Sequence, residues 1–282
     1  MTANGIPRVT PIRAEQCFRR MPGESQPQLM GAADGRFYVV KFQNNPQGVR
    51  ILANEMLGAS LAAFLGVPTP PVAVIEVPER TVFLSEGMFI EIAKRRMPCQ
   101  PGLCFGSQRR LDERFWLPDM ITPESVENPA DFLGMLVFDK WTGNMDNRQV
   151  TLVPNDVGSS QKAIMIDQGL CFGGDEWVFH DAPLGGIAHF PRIYEPVTSL
   201  KDFEPWLTRL ETKINFEMLC DAANTVPPEW YLCNKTALGR LICQLNQRRM
   251  LVRGMVSETL QTARYYFQNV RLAKSAAKSA TA

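Results

Sequence analysis

A lysine stands inside a strand that should carry none. The segment Arg36-Phe-Tyr-Val-Val-Lys41-Phe42 follows the turn-forming run Gly31-Ala-Ala-Asp-Gly35, and its aromatic and β-branched residues read as a strand. Lys41 alternates onto the same face as Val39, and lysines are seldom buried unless they are paired. Fourteen residues later, Glu55 interrupts an otherwise apolar helix. That helix shows as Ile51, Leu52, Met56, Leu57, Leu61 and Phe64 recurring from Gln47 to Leu65, with Gly66 fit to cap it. A fold that packs this strand on this helix must join the two charges. A fold that does not leaves Lys41 snorkelling from an edge and Glu55 on a solvated face. Taken alone, the two residues leave both readings open.

Charge balance narrows the classes. The 282 residues hold 30 Lys+Arg and 29 Asp+Glu, a formal charge of +1, which excludes a general electrostatic binder of nucleic acid. No apolar run approaches the roughly 18–20 residues that cross a bilayer, and Met1–Arg20 shows no apolar leader core. These features predict a cytoplasmic protein without direct contact to nucleic acid or membrane. The seven cysteines, Cys17, Cys99, Cys104, Cys171, Cys220, Cys233 and Cys243, are scattered and mostly set among apolar neighbours, as buried free thiols are. With only His180 and His189 beside them, no zinc set at metal spacing can be assembled.

Along the chain, residues 1–30 read as irregular. Strands are predicted at Pro71–Val77, Val82–Leu84 and Met88–Ile92, so that 31–95 forms a β-rich lobe with one inserted helix. Met97–Pro129 reads as loop-rich, Pro129–Thr142 as a helix, and Val150–Val153 and Ala163–Ile166 as short strands joined by a turn at Pro154–Gly158. Helices are expected over about 201–224, with a break, and over Lys235–Leu272, interrupted near Gly254. Residues 96–272 thus form a mostly helical lobe, and 273–282 a low-complexity, disordered tail. The fold class is α+β. Trp141, Trp177 and Trp206 read as core residues, and Arg248, Arg249 and Arg253 as a solvated helix face.

Three polar constellations stand where packing does not ask for them. A strand lysine facing a helix glutamate, here Lys41 and Glu55, is the pair that positions nucleotide phosphates in kinases. In Asp139-Lys-Trp-Thr-Gly-Asn144-Met-Asp146-Asn-Arg148-Gln149, a helix ends and a polar loop begins. A carboxylate just ahead of an amide side chain suits phosphoryl transfer, the first orienting a hydroxyl and the second helping to hold Mg²⁺; an Asx-rich helix end explains the same residues. Asp167 closes the apolar Ile164-Met-Ile166 ahead of Gln168-Gly169, a place for a metal carboxylate or for a turn-initiating Asp. It is their order along one chain that favours the chemical reading.

On these residues the chain resembles the HipA-like kinase family, in its short, single-domain bacterial branch. The likeness is carried by Asp34–Gln47, Ala53-Asn-Glu55, Gly66-Val-Pro-Thr-Pro70, Gly102–Ser107, Asp139-Lys-Trp141 with Asn144-Met-Asp146, and Asp167-Gln-Gly169. The resemblance implies a two-lobed protein-kinase-like fold, a small β-rich N-terminal lobe and a larger helical one. It implies ATP and Mg²⁺ as cofactors and a protein Ser/Thr hydroxyl, the chain's own included, as acceptor. Lys41 and Glu55, with Gly31 and Gly35, would hold the nucleotide, Asp146 would be the catalytic carboxylate and Asp167 would hold the metal. Where the chain departs from the family pattern, Arg148 is read as catalytic, steadying the loop or the transferring phosphate, and Gln149 as the second metal contact. Longer members carry Asp-x-His-x-x-Asn where this chain has Asp146-Asn-Arg148-Gln149-Val-Thr151. Other readings are a pseudokinase that binds nucleotide or a protein without transfer, and a small-molecule or lipid kinase. A separate antitoxin-like or regulatory protein is the partner the resemblance brings with it.

Overall fold

The computed structural model describes residues 10–113, 121–154 and 161–270. In chain order come β1 (Ile12–Arg20), β2 (Gln28–Ala32), β3 (Phe37–Lys41), helix α1 (Arg50–Leu65), β4 (Val72–Val77) and helix α2 (Glu79–Leu84). A hairpin, β5 (Phe89–Ile92) and β6 (Arg95–Pro98), precedes β7 (Gly102–Arg109). Strands β1-β2-β3-β7-β4 close into a barrel, shut by a parallel pairing of Ile12 with Ile75. Its interior is filled by Ala14, Met30, Val40, Ile75, Cys104 and their neighbours.

Two barrel strands escape the sequence reading, each for a physical reason. Residues 12–20 form β1 rather than irregular chain. The strand is largely exposed, and shifts in its pairing with β2 at Ala14/Gln16 and Cys17/Arg19 break the apolar alternation by which strands are read. Residues 102–109 form β7, the strand between β3 and β4, where a loop was expected. Its Gly106 lies opposite both Val40 and Ala73, and a side chain there would run into Ile75 and Tyr38, so close approach requires the glycine. The barrel therefore reaches residue 109, past the expected lobe boundary at 95. Val82–Leu84, expected as a strand, belongs to α2: three apolar residues carry no period, and Pro78 immediately ahead starts a helix.

Helix α1 is buried on nearly all sides, from Ile51 to Leu65, because it lies between the barrel and the helical part of the chain. Gly66 ends it in the left-handed conformation at φ 77°, its N–H donating to Ala62 and Ala63. The helical part begins with α3 (Asp131–Thr142), capped by Gly143 at φ 59°, and a hairpin of β8 (Gln149–Pro154) and β9 (Gln161–Ile166). Helices α4 (Glu204–Thr212), α5 (Phe216–Asn224), α6 (Lys235–Arg248) and α7 (Val252–Thr262) follow. Trp141, Trp177 and Trp206 are buried in the main core, together with Trp230. The break in the last helical stretch falls at Arg249–Leu251, and Gly254 lies inside α7, since one glycine lowers helix stability without ending a helix. The expected tail at 273–282 and most of the Pro154–Gly158 turn lie outside the described residues. No helix among the described residues is long and apolar enough to cross a membrane.

Candidate active site

Lys41 ends β3 opposite Phe105 of β7, which turns its side chain toward α1. The ammonium donates to Glu55 and, at 2.9 Å, to Oδ1 of Asp167. The Lys41 and Glu55 side chains are only 8% and 3% exposed, so the snorkelling alternative does not apply. Burial by itself disfavours a charged lysine, but the carboxylates of Glu55 and Asp167 outweigh it and hold the Lys41 pKa above its ordinary value. Burial likewise opposes the Asp167 charge, and Lys41 reverses it, holding Asp167 below the usual carboxylate range. The second oxygen of Glu55 accepts the N–H of Gln168 at 3.0 Å, which ties α1 to the turn after β9.

The loop after α3 supplies Asp146. Asn144 donates to Asp139 at 3.0 Å and accepts the Asp146 N–H at 3.1 Å, while Met145 N–H bonds Leu170 O at 3.2 Å. Asp146, half-buried, accepts the Asn147 N–H at 2.7 Å and the Gln149 amide at 3.1 Å. Gln149 pairs with Ile166 across β8 and β9, so Asp146 and Asp167 come to the same end of this hairpin. Thr151, at the place of the family asparagine, is buried and bonded to Glu113. Among the described residues no group of three or more His, Cys, Asp or Glu could hold a metal by itself. Asp167 and Gln149 together offer one carboxylate and one amide oxygen, a chemistry that suits Mg²⁺ when substrate phosphates and water complete the shell.

Two sequence expectations are corrected here. Of the two readings of Arg148, its contacts fit steadying the loop and not reaching outward toward a phosphate. Its buried guanidinium grips Asp139 with two donors and also bonds Ile166 O at 2.7 Å and Asp167 O at 3.1 Å, so it positions both loops from beneath. Gly31 and Gly35 are not brought to the site either. Gly31 pairs with Phe37 at the far end of β3 from Lys41, and Gly35 lies in the β2–β3 turn beyond it. The connection at Lys41's end is Met21–Pro27, between β1 and β2, because Gln28 pairs with Val40.

Other residues were missed or misjudged from sequence. Asp139 is fully buried with Arg148 and Asn144 on its carboxylate; its signal was a charge inside an apolar helix. Beside it Lys140 donates to the carbonyls of Ala182, Pro183 and Gly185, and burial pushes its pKa down to about 8. Arg248 is buried rather than solvated, bonded to Trp141 O, Lys140 O and Asp181. Arg253 pairs with Glu204 and Glu211. Cys243 is exposed despite its apolar sequence neighbours, because it falls on the outer face of α6.

A family profile described as HipA-like kinase matches residues 15–260. The chain belongs to that family. Among solved structures it is similar to the Helicobacter pylori proinflammatory kinase CtkA, with a TM-score of 0.57 at 11% identity, over 91% of this chain and 99% of that one. It is also similar to hydra Fam20 with sugar, with a TM-score of 0.51 at 11% identity, over 94% and 88% of the two chains. At such identities the likeness is one of fold. No curated protein matches the chain in sequence. Family and fold together make this HipA-like protein a kinase-type phosphotransferase of mixed α/β structure.

Proposed function

We propose that this HipA-like protein transfers the γ-phosphoryl group of ATP, with Mg²⁺, to a Ser or Thr hydroxyl of a protein, its own included, in the cytoplasm. The observation that carries the reading is the Lys41 ammonium held between Glu55 and Asp167, one carboxylate from the helix and one from the turn after β9. In this reading the barrel and the helical part act as two lobes with the nucleotide between them. Lys41 donates to the nucleotide phosphates and Glu55 keeps its ammonium in place. Asp167 and Gln149 are the side chains that hold Mg²⁺, which when bound neutralises charge on the phosphates. Asp146 orients the acceptor hydroxyl and accepts its proton as the new O–P bond forms and the bond from the γ-phosphorus to the bridging oxygen breaks, ADP leaving with that oxygen. Most of the acceleration is positioning rather than covalent chemistry.

The test is a thermal-shift titration with ATP and Mg²⁺ on wild type and Asp167→Ala. A ligand bound only by the folded state stabilises it by about 2.7 kcal/mol at a hundredfold excess over Kd. A magnesium-dependent rise in wild type that the variant loses is the expected result. No response at millimolar ATP would leave the fold without the activity.

A further inference from the structure

Asn54, the residue before Glu55, is buried at 1% exposure, and its whole side chain is spent on one loop. Its Nδ2 donates to Gly169 O at 2.7 Å, Gly174 O at 2.9 Å and Cys171 O at 3.1 Å. Its Oδ1 accepts the Trp177 indole N–H at 2.7 Å. Three carbonyls on one end and an N–H donor on the other fix which way the amide points. One helical turn earlier, the Arg50 N–H donates to Asp175 Oδ1 at 2.8 Å, and the Arg50 guanidinium lies 4.9 Å from the Trp177 ring centroid.

The loop so gripped has a backbone that needs holding. Asp167, Phe172, Gly173 and Gly174 all have φ between 61° and 77°, the left-handed region that disfavours a side chain at the first two. Such a conformation persists only where its surroundings over-determine it. Three polar groups do so around Asp167: Arg148 on the carbonyls before and at it, Glu55 on the N–H after it, and Asn54 on the carbonyl of Gly169. Asn54 and Glu55 are consecutive on α1, so a single helix sets both the partner of Lys41 and the turn that presents Asp167.

We propose that Asn54 is a positioning residue for the metal-binding carboxylate: its amide fixes the 169–174 loop to α1 and thereby fixes the direction in which Asp167 points. The inference rests on the phosphotransferase reading above, in which Asp167 holds Mg²⁺. It adds a residue without contact to nucleotide, metal or acceptor, whose loss acts through Asp167.

The experiment uses the full chain and does not depend on turnover. ADP is held fixed, Mg²⁺ is titrated, and the melting temperature is followed for wild type and Asn54→Asp, an isostere that turns an acceptor toward three carbonyls. Asn54→Ser, which gives up the contacts without adding a charge, is run alongside in case the first variant does not fold. Removing a group that orients a metal ligand typically costs about 10–100-fold in metal affinity. The Mg²⁺ midpoint is therefore expected to rise by that factor, while the shift given by ADP without metal stays as in wild type. A merely structural role would lower the starting melting temperature and leave the Mg²⁺ midpoint alone, and that result in a folded variant overturns the inference. A wild type that responds to neither ADP nor Mg²⁺ overturns the phosphotransferase reading instead, and the role of Asn54 falls with it.

Discussion

Arg148 and Asp139 meet in an ion pair closed to solvent beneath the Asp146 loop, their side chains 1% and 0% exposed. The guanidinium that clasps Asp139 also reaches the carbonyls of Ile166 and Asp167, so one buried cation joins the end of α3 to the end of β9. Asp146 stands two residues before Arg148 in the chain and Asp167 gives the guanidinium its carbonyl, so both carboxylates of the candidate site are tied to this clasp.

Replacing Arg148 by Ala should therefore destabilise the fold by about 3–5 kcal/mol, since Asp139 would be left charged and buried without its partner. Arg148→Lys keeps the charge but loses the two-pronged grip and should fall between. Urea unfolding monitored by tryptophan fluorescence measures this, and an unchanged midpoint for the alanine variant would show that the clasp holds nothing.

Lys41→Met removes the counter-charge of Glu55, which is 2% exposed, and should cost about 3–5 kcal/mol for the same reason. It should also abolish the nucleotide-dependent rise in melting temperature, whereas Arg148→Lys should retain it. A Lys41→Met protein that still responds to ATP as wild type does would remove Lys41 from the nucleotide site.

Asp146→Asn keeps the shape of the loop and the hydrogen bond it accepts from the Asn147 N–H while removing the proton acceptor. Phosphoryl transfer should drop about 10²–10⁴-fold. The melting-temperature response to ADP and Mg²⁺ should stay close to wild type, because Lys41 and Asp167 are untouched. Full activity of this variant, read as ³²P incorporation from ATP, would assign the proton acceptor elsewhere.

Lys140 gives a pH dependence whose sign can be worked out. Its pKa is about 8 in the folded protein, lowered by burial, against about 10.4 in an unfolded chain. Below pH 8 both states carry the charge and folding bears the whole cost of burying it. Between about 8 and 10.4 the unfolded chain holds more protons than the folded one, so this residue makes stability rise with pH. The difference in unfolding free energy between wild type and Lys140→Met should therefore move in favour of wild type from pH 7 to pH 10. A difference that is flat over that range, or of opposite slope, would mean that Lys140 stays fully charged in the folded protein.

How much of this was legible beforehand depends on the range over which each feature is decided. Helices α1 and α3 could be read because their apolar periods and glycine caps are local. Lys41, Glu55 and Asp167 stood out because a charge in an apolar segment must be explained wherever the segment ends up. β1 could not be read, since its bulges erase the alternation, and neither could β7, whose glycine is needed only because Ile75 and Tyr38 press on it from other strands. Gly31 and Gly35 looked like nucleotide-binding glycines from their place just before β3. Strand direction puts them at the wrong end, and the pairing of Gln28 with Val40 settles that direction.

The sequence by itself determined which residues could carry chemistry, because charge, hydrogen-bonding capacity and local period belong to the residues. Tertiary structure alone decided which of them meet. Lys41 and Asp167 are 126 residues apart, and Trp141 and Arg248 are 107 apart. No local rule brings such pairs together, since their contact depends on the closing of the barrel and on the packing of α1 and α6 against the rest. The same reason turned Arg148 inward: its sequence neighbours offer it a loop, but the buried carboxylate of Asp139 and the carbonyls at the end of β9 offer it partners out of water, where they are worth most.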